Sequence, residues 1–245
     1  RIRFMEELHP GRVVYNTPSA HRLLGPLDAQ AFERAMLAMI ERQPSLRTAI
    51  EREGGATPVQ RVHATLSWRL PVVDLGAVPA AQREAELMSR MQAVVDQPID
   101  IARPPLFHAA LYRLGDEEHV FLFVPHHIVW DGWSFDLLYQ EMSALYAAQA
   151  GDTAVPALPP LPVSYVDFAR WHADWMQGDE ARKQLDFWKA RIGRAQMPSA
   201  LPTDHARRAG MTGVGAVEWV HIDKALTEDL RVLARRLDVT VNMLA

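Results

Sequence analysis

In a chain of 245 residues, the stretch Pro125-His126-His127-Ile128-Val129-Trp130-Asp131-Gly132-Trp133-Ser134 gathers the side chains best suited to chemistry. An imidazole titrates near pH 6.5, so at neutral pH it can take a proton from a reacting group or accept a hydrogen bond from a nucleophile. Neighbouring side chains on extended backbone point to opposite faces. One of His126 and His127 is therefore expected to face a cleft while the other packs behind it. Asp131, four residues beyond His127, can hold an imidazole or pair with a cation. Gly132 allows close backbone approach, and amides at the start of a following helix can face a developing oxyanion. These parts suit acyl transfer by direct attack, with no obligatory covalent intermediate on the protein. A metal site built on His126, His127 and Asp131 is a weaker reading, because adjacent histidines seldom converge on one ion and no third spaced ligand stands out. His9, His21, His63, His108, His119, His172, His205 and His221 read as ordinary core or surface residues, and phosphate loops and dinucleotide fingerprints are absent.

The elements that must position this stretch follow from periodicity. His119 to Val124 is short, apolar and rich in β-branched and aromatic residues, as a strand buried on both faces requires. Leu106 to Leu114 reads as its hairpin partner across a Gly115-Asp116-Glu117 turn, which puts the two histidines at the far end of the hairpin. Ser134 is expected to cap a helix with Leu138, Met142, Leu145 and Tyr146 on one face, ending near Gly151. Asp28 is expected to cap another, with Phe32, Met36, Met39 and Ile40 inward. Leu46, Thr48 and Ile50 alternate with charged residues as in a strand, and Gly54-Gly55 turns the chain into a second one, Val59 to Val62. A helix is predicted over Ala80 to Val95. Arg1 to Leu8 reads as a short amphipathic piece. Beyond the motif helix, the prolines between Val155 and Pro162 predict an extended crossing. Helices are predicted over Tyr165 to Trp175 and Asp179 to Ile192, the second with Leu185 and Trp188 inward. A strand from Ala216 to Ile222 and a helix with Leu226, Leu230, Leu233 and Leu237 complete the pattern.

Composition narrows the function classes. With 49% hydrophobic residues the chain can bury one large core or two modest ones. A net charge of -4 gives no sign of a nucleic-acid binder. The apolar run Val120 to Val124 is far below the roughly 20 residues that cross a bilayer, so no membrane role is expected. The absence of cysteine removes disulfides, thiolate nucleophiles and thiolate metal sites, and a cytoplasmic setting is the expectation. Both ends read as cut: the first residue is Arg1, and Val239 to Ala245 stops inside an apolar run without a helix terminator.

His126-His127-Ile128-Val129-Trp130-Asp131-Gly132 matches the pattern HHxxxDG and resembles the signature of the condensation domains of nonribosomal peptide synthetases. Other stretches agree in order. Arg1 to Leu8 resembles the end of the first family motif, and Arg42-Gln43-Pro44-Ser45-Leu46-Arg47-Thr48 resembles the second, usually RHExLRT. Tyr165-Val166-Asp167-Phe168-Ala169-Arg170-Trp171 matches the fourth, YxDFAxW, and Leu201-Pro202-Thr203-Asp204 matches the segment after it. Gln43 and Pro44 depart from the usual His-Glu while Arg47 is kept. An epimerisation domain would continue as a DGVSWR-like run, and a heterocyclisation domain would carry aspartates in place of the histidines. A plant-type acyltransferase with HxxxD would also need a distant DFGWG segment.

The resemblance implies a mixed α/β fold, α+β in two layers, with a chloramphenicol acetyltransferase-like sheet and flanking helices. It implies that residues 1–245 are the N-terminal lobe of a two-lobed domain about twice as long, with the active site between the lobes, and that this lobe by itself is inactive. The implied reaction joins an acyl or peptidyl thioester on one carrier domain to the α-amine of an aminoacyl group on the next. Phosphopantetheine arms of the carriers present both substrates, and no cofactor is bound by the domain itself. Implied partners are the donor and acceptor carrier domains, an adjacent adenylation domain and the C-terminal lobe. His127 is implied as catalytic, with His126, Asp131, Gly132 and Arg47 structural and a salt bridge between Asp131 and Arg47. A condensation-like platform that recruits other enzymes, or an epimerisation-type relative, is the alternative.

Overall fold

A computed structural model describes residues 2–53, 57–151, 158–193, 204–205 and 218–244. The chain divides into residues 1–201 and 202–245. In the first unit the order is α1 (Ile2–Leu8), β1 (Ser19–Leu24), α2 (Ala29–Arg42), a 3-10 turn (Pro44–Arg47), β2 (Thr48–Glu53), β3 (Thr57–Val62), β4 (Val72–Asp74) and α3 (Ala80–Val95). There follow β5 (Phe107–Gly115), β6 (Glu118–Pro125), α4 (Gly132–Gln149), α5 (Tyr165–Met176) and α6 (Asp179–Ile192). A four-stranded sheet has the order β1-β6-β5-β4, with β4 parallel to β5 and the other pairs antiparallel. β2 and β3 form a separate hairpin.

Side-chain alternation along β6 explains why its whole length is apolar. Phe121 and Phe123 enter a core with Phe32, Met36 and Met39 of α2 and Leu138 and Met142 of α4. Val120, Leu122 and Val124 enter a second core with Leu87 of α3 and Leu75. Helices thus cover both faces of the sheet, and each fully buried Phe or Leu contributes about 1.5 to 3 kcal/mol of transfer free energy. The result is a firmly packed hairpin with the two histidines at its end.

The helix ends show local chemistry at work. Asp28 caps α2 as the sequence predicts, accepting from the amides of Gln30 and Ala31. α3 spans Ala80–Val95 and α6 spans Asp179–Ile192, both as predicted. The predicted cap of α4 is displaced: Asp131 is the N-cap, and Ser134 is its partner three residues on in a capping box. A two-way cap of the same kind joins Ser164 to Asp167 at the start of α5.

Other expectations are corrected. Leu185 and Trp188 are each 53% exposed, not inward, because nothing described in this unit packs on that face of α6. Leu46 lies in the 3-10 turn started by Pro44, and the strand begins at Thr48. The Gly54-Gly55 turn and much of the proline-rich crossing lie outside the described residues. In the second unit α7 (Lys224–Leu237) and α8 (Val241–Leu244) are helical. The predicted strand over Ala216 to Ile222 is not formed at Glu218–Ile222, and its first two residues lie outside the described ones. Among the described residues no helix is long and apolar enough to cross a membrane.

Candidate active site

The ladder of the hairpin carries on past β6 and then stops. The His126 amide donates to the Leu106 carbonyl at 2.9 Å, and His126 bridges to Asn16. The His127 amide donates to the Tyr15 carbonyl at 2.8 Å, after which residues 127–129 turn. The turn is closed from within by His126: its carbonyl accepts from the Val129 amide, and its ring Nδ1 accepts from the Ile128 amide at 3.1 Å. Opposite facing of the two imidazoles follows from this extended entry. His126 is 1% exposed and lies against the Tyr15 ring, whereas His127 is exposed.

His127 lines a cleft of about 420 Å³ with Ile2 of α1, Ser45 and Thr48 of the second motif region, Trp130, and Tyr165 and Val166 of α5. Its Nδ1 lies 2.6 Å from the Trp130 carbonyl oxygen. A carbonyl can only accept, so the neutral ring carries its proton on Nδ1 and presents the Nε2 lone pair for another donor. Burial sets the other ring apart: desolvation first, and the neighbouring His127 second, push His126 down to about 4, so it is neutral at pH 7. One histidine is available to substrate, and the other is part of the frame.

Asp131 and Arg47 are not paired. Arg47 gives its guanidinium to backbone carbonyls, with Nε to Ile40 at 2.9 Å and other nitrogens to Glu41, His63 and Ala64. It clasps the end of α2 to the chain just past β3. Asp131 takes the amide and hydroxyl of Ser134 at 2.9 and 2.6 Å, and these bonds hold its carboxyl below the usual range. The expected salt bridge fails because each group already has a local partner: four backbone carbonyls for Arg47, an open helix end for Asp131. A Cβ on Gly132 would meet nothing within 4 Å in the described chain, so the space beside it is open. Trp133 is 74% exposed.

The departures from the second motif have structural uses. Gln43 ends α2 and donates to Glu141 of α4 at 2.8 Å beside the Arg42–Glu141 ion pair, and Pro44 opens the 3-10 turn. Three contributors to the site are missed by sequence reasoning: the Trp130 carbonyl that orients His127, the Tyr15 carbonyl that anchors it, and Glu6, whose carboxylate approaches His126. Backbone carbonyls have no sequence signal. The Asp131-x-x-Ser134 spacing does carry a capping signal, and it belongs to the aspartate rather than to the serine. Among the described residues no group of three His, Asp or Glu side chains is arranged to hold a metal ion.

Comparison with known proteins agrees with this architecture. The family model described as Condensation domain matches residues 1–245. A linear gramicidin synthase protein of Brevibacillus parabrevis is 40% identical over 99% of this chain, and the chondramide synthase of Chondromyces crocatus is 37% identical over 98%. The chain spans only 3% and 6% of those two proteins. The starter condensation domain of rhizomide synthetase RzmA superimposes with a TM-score of 0.72 at 24% identity, over 80% of this chain and 47% of that one. The SgcC5 protein of Streptomyces globisporus does so with a TM-score of 0.71 at 25% identity, over 93% of this chain and 51% of that one. The hairpin, its paired histidines and the match along the full sequence lead to one assignment: the chain belongs to the condensation domain family.

Proposed function

We propose that this chain contributes His127 to peptide-bond formation in nonribosomal peptide synthesis. The observation that carries the reading is the fixed ring of His127, with Nδ1–H held by the Trp130 carbonyl and Nε2 left to meet a donor in the cleft. The donor substrate is an acyl or peptidyl thioester on the phosphopantetheine arm of an upstream carrier domain. The acceptor is the α-amine of an aminoacyl group on the arm of a downstream carrier, loaded by an adenylation domain. Attack of the amine on the thioester carbonyl forms the C–N bond. Collapse breaks the C–S bond, and the proton lost by nitrogen ends on the departing thiolate. An α-amine has a pKa near 8, so an appreciable fraction is already neutral at pH 7. His127 Nε2 need only accept one N–H to aim the lone pair, or take the proton as charge develops. The domain binds no cofactor of its own in this scheme, and the arms enter as substrate.

The solved relatives carry about as much chain again as the part matched here, which supports the reading of a site shared between two lobes. The assay therefore supplies donor-loaded and acceptor-loaded carriers to this chain with the second portion present, fused or in trans, and again without it. Amide product is expected only in the first case. His127→Ala should lower the rate by about 10² to 10⁴ while the melting temperature stays unchanged, since the side chain is exposed. Turnover near that of the unmodified protein in a folded His127→Ala variant would remove this residue from the reaction.

A further inference from the structure

The proposed reaction gives no task to Glu6, yet its carboxylate is the group that approaches the buried ring of His126. Glu6 Oε1 lies 3.5 Å from His126 Nε2, and the two side chains are 10% and 2% exposed. Its neighbour Glu7 is engaged at the surface by Arg3 and Arg52. Glu6 sits on the same short helix, α1, that sends Ile2 into the cleft beside His127. The tautomer of His126 can be worked out from its other nitrogen. Nδ1 accepts the Ile128 amide at 3.1 Å, so it holds a lone pair. In the neutral ring the proton is then on Nε2, a buried donor with no hydrogen-bond partner at ordinary distance. The Glu6 oxygen is just beyond that distance, close enough to attract the N–H.

We infer that Glu6 is a positioning residue for His127: through its contact with His126 Nε2 it selects the tautomer whose Nδ1 holds the Ile128 amide. The inference rests on the reading of His127 as the reacting histidine. Without the Glu6 oxygen the buried N–H would lose the attraction of that carboxyl group, and the alternatives, moving the proton to Nδ1 or flipping the ring, would lie closer in energy to the observed state. Either change gives up the Ile128 amide. The turn from His127 to Val129 would loosen, and with it the Trp130 carbonyl that fixes the His127 ring. Burial raises the Glu6 pKa and lowers that of His126 to about 4, and with His126 neutral at pH 7 the contact is one between a polarised N–H and a carboxyl oxygen rather than an ion pair.

Two substitutions separate this role from simple packing. Glu6→Gln keeps an acceptor oxygen at the same reach, whereas Glu6→Met keeps the length and offers none. Long-range proton–nitrogen correlation spectra of ¹⁵N-histidine protein at pH 7.5 report the tautomer of each ring directly, without any activity. The unmodified chain and Glu6→Gln should show His126 with its proton on Nε2 and His127 with its proton on Nδ1. Glu6→Met should show tautomer mixing at both rings. In the carrier-loaded assay kcat should fall by about 10- to 100-fold in Glu6→Met with KM little changed, and Glu6→Gln should restore most of it. A His126 proton on Nδ1 in the unmodified chain would overturn the inference, even if Glu6→Met does not fold. So would a Glu6→Met protein with unmixed tautomers and undiminished kcat. If the unmodified chain makes no amide even with the second portion present, the proposed reaction falls, and the spectra still decide whether Glu6 orders the two histidines.

Discussion

The β5–β6 hairpin and the α5–α6 pair are both rich in large apolar side chains, but these have opposite fates in the structure. From Val120 to His126 every residue of the hairpin's second strand and its exit is buried, with Phe121 and Phe123 on one face and Val120, Leu122 and Val124 on the other. On α5 and α6, Tyr165, Phe168, Trp171, Phe187 and Trp188 are all between 45% and 58% exposed. Apolar character says what a segment can bury. Whether it does so depends on what the rest of the chain lays against it, and α2, α3 and α4 are laid against the hairpin. The site inherits this contrast, since His126 and the backbone of His127 belong to the well-packed side while Tyr165 and Val166 of the cleft come from the start of α5.

The sharpest way to probe the well-packed side is acid. His126 has its pKa lowered from 6.5 to about 4 by burial, with His127 adding to the effect. The unfolded chain therefore binds this proton more readily than the folded one between those values. The stability tied to a neutral His126 is fully present above about pH 6.5, and it is lost as pH falls toward 4, by up to about 3 kcal/mol. Glu6, raised by its own burial, works in the opposite sense as it takes a proton, so the measurement is a difference. Urea midpoints between pH 7 and pH 4.5 should fall more steeply for the unmodified chain than for His126→Gln, which has no imidazole to protonate. Parallel curves would mean that His126 is not the buried neutral group described.

A smaller effect is expected at the junction where the hairpin hands the chain to α4. Asp131→Ala removes the cap of α4 and should cost about 0.5 to 2 kcal/mol. Because hydrogen bonds from Ser134 depress the Asp131 pKa, the contribution is present above the ordinary carboxyl value and disappears as pH falls through the lowered one. Arg47→Ala should cost stability through the four carbonyls it leaves behind. A double-mutant cycle between the two should give a coupling energy near zero, since they share no partner. Coupling above about 1 kcal/mol would restore the salt bridge that the family resemblance suggested and the structure does not contain.

How far the sequence can be read follows the same contrast. Period and punctuation locate α2, α3, α6 and the hairpin, because amphipathic spacing, Asp28 as a cap and a Gly115-containing turn act over a few residues. The opposite facing of His126 and His127 is legible for the same reason. The fate of Arg47 is not, since its acceptors on Ile40, Glu41, His63 and Ala64 are carbonyls that any residue type would offer. Nor is the exposure of Leu185 and Trp188, because helical periodicity identifies an apolar face without supplying the surface that covers it. Glu6 is hidden by distance along the chain, about half of which separates it from His126.

The smallest expected effect tests the exposed side of the comparison. Trp171 is 58% exposed, and its ring meets those of Phe168 and His172 on its own helix, three residues before it and one after. Such contacts do not tie α5 to another element, so their loss leaves the rest of the fold as it was. Trp171→Ser should therefore change the unfolding free energy by no more than about 0.5 kcal/mol, although a tryptophan is removed. A buried aromatic of the hairpin core cut to alanine would cost several times that, about 3 to 5 kcal/mol. Matched urea titrations of Trp171→Ser and Phe123→Ala, followed by far-UV circular dichroism so that the lost indole does not bias the signal, measure the two directly. A loss of about 2 kcal/mol or more for Trp171→Ser, well above the ordinary surface range, would show that this face of α5 is covered in solution and that the contrast between the two regions is smaller than the exposures imply.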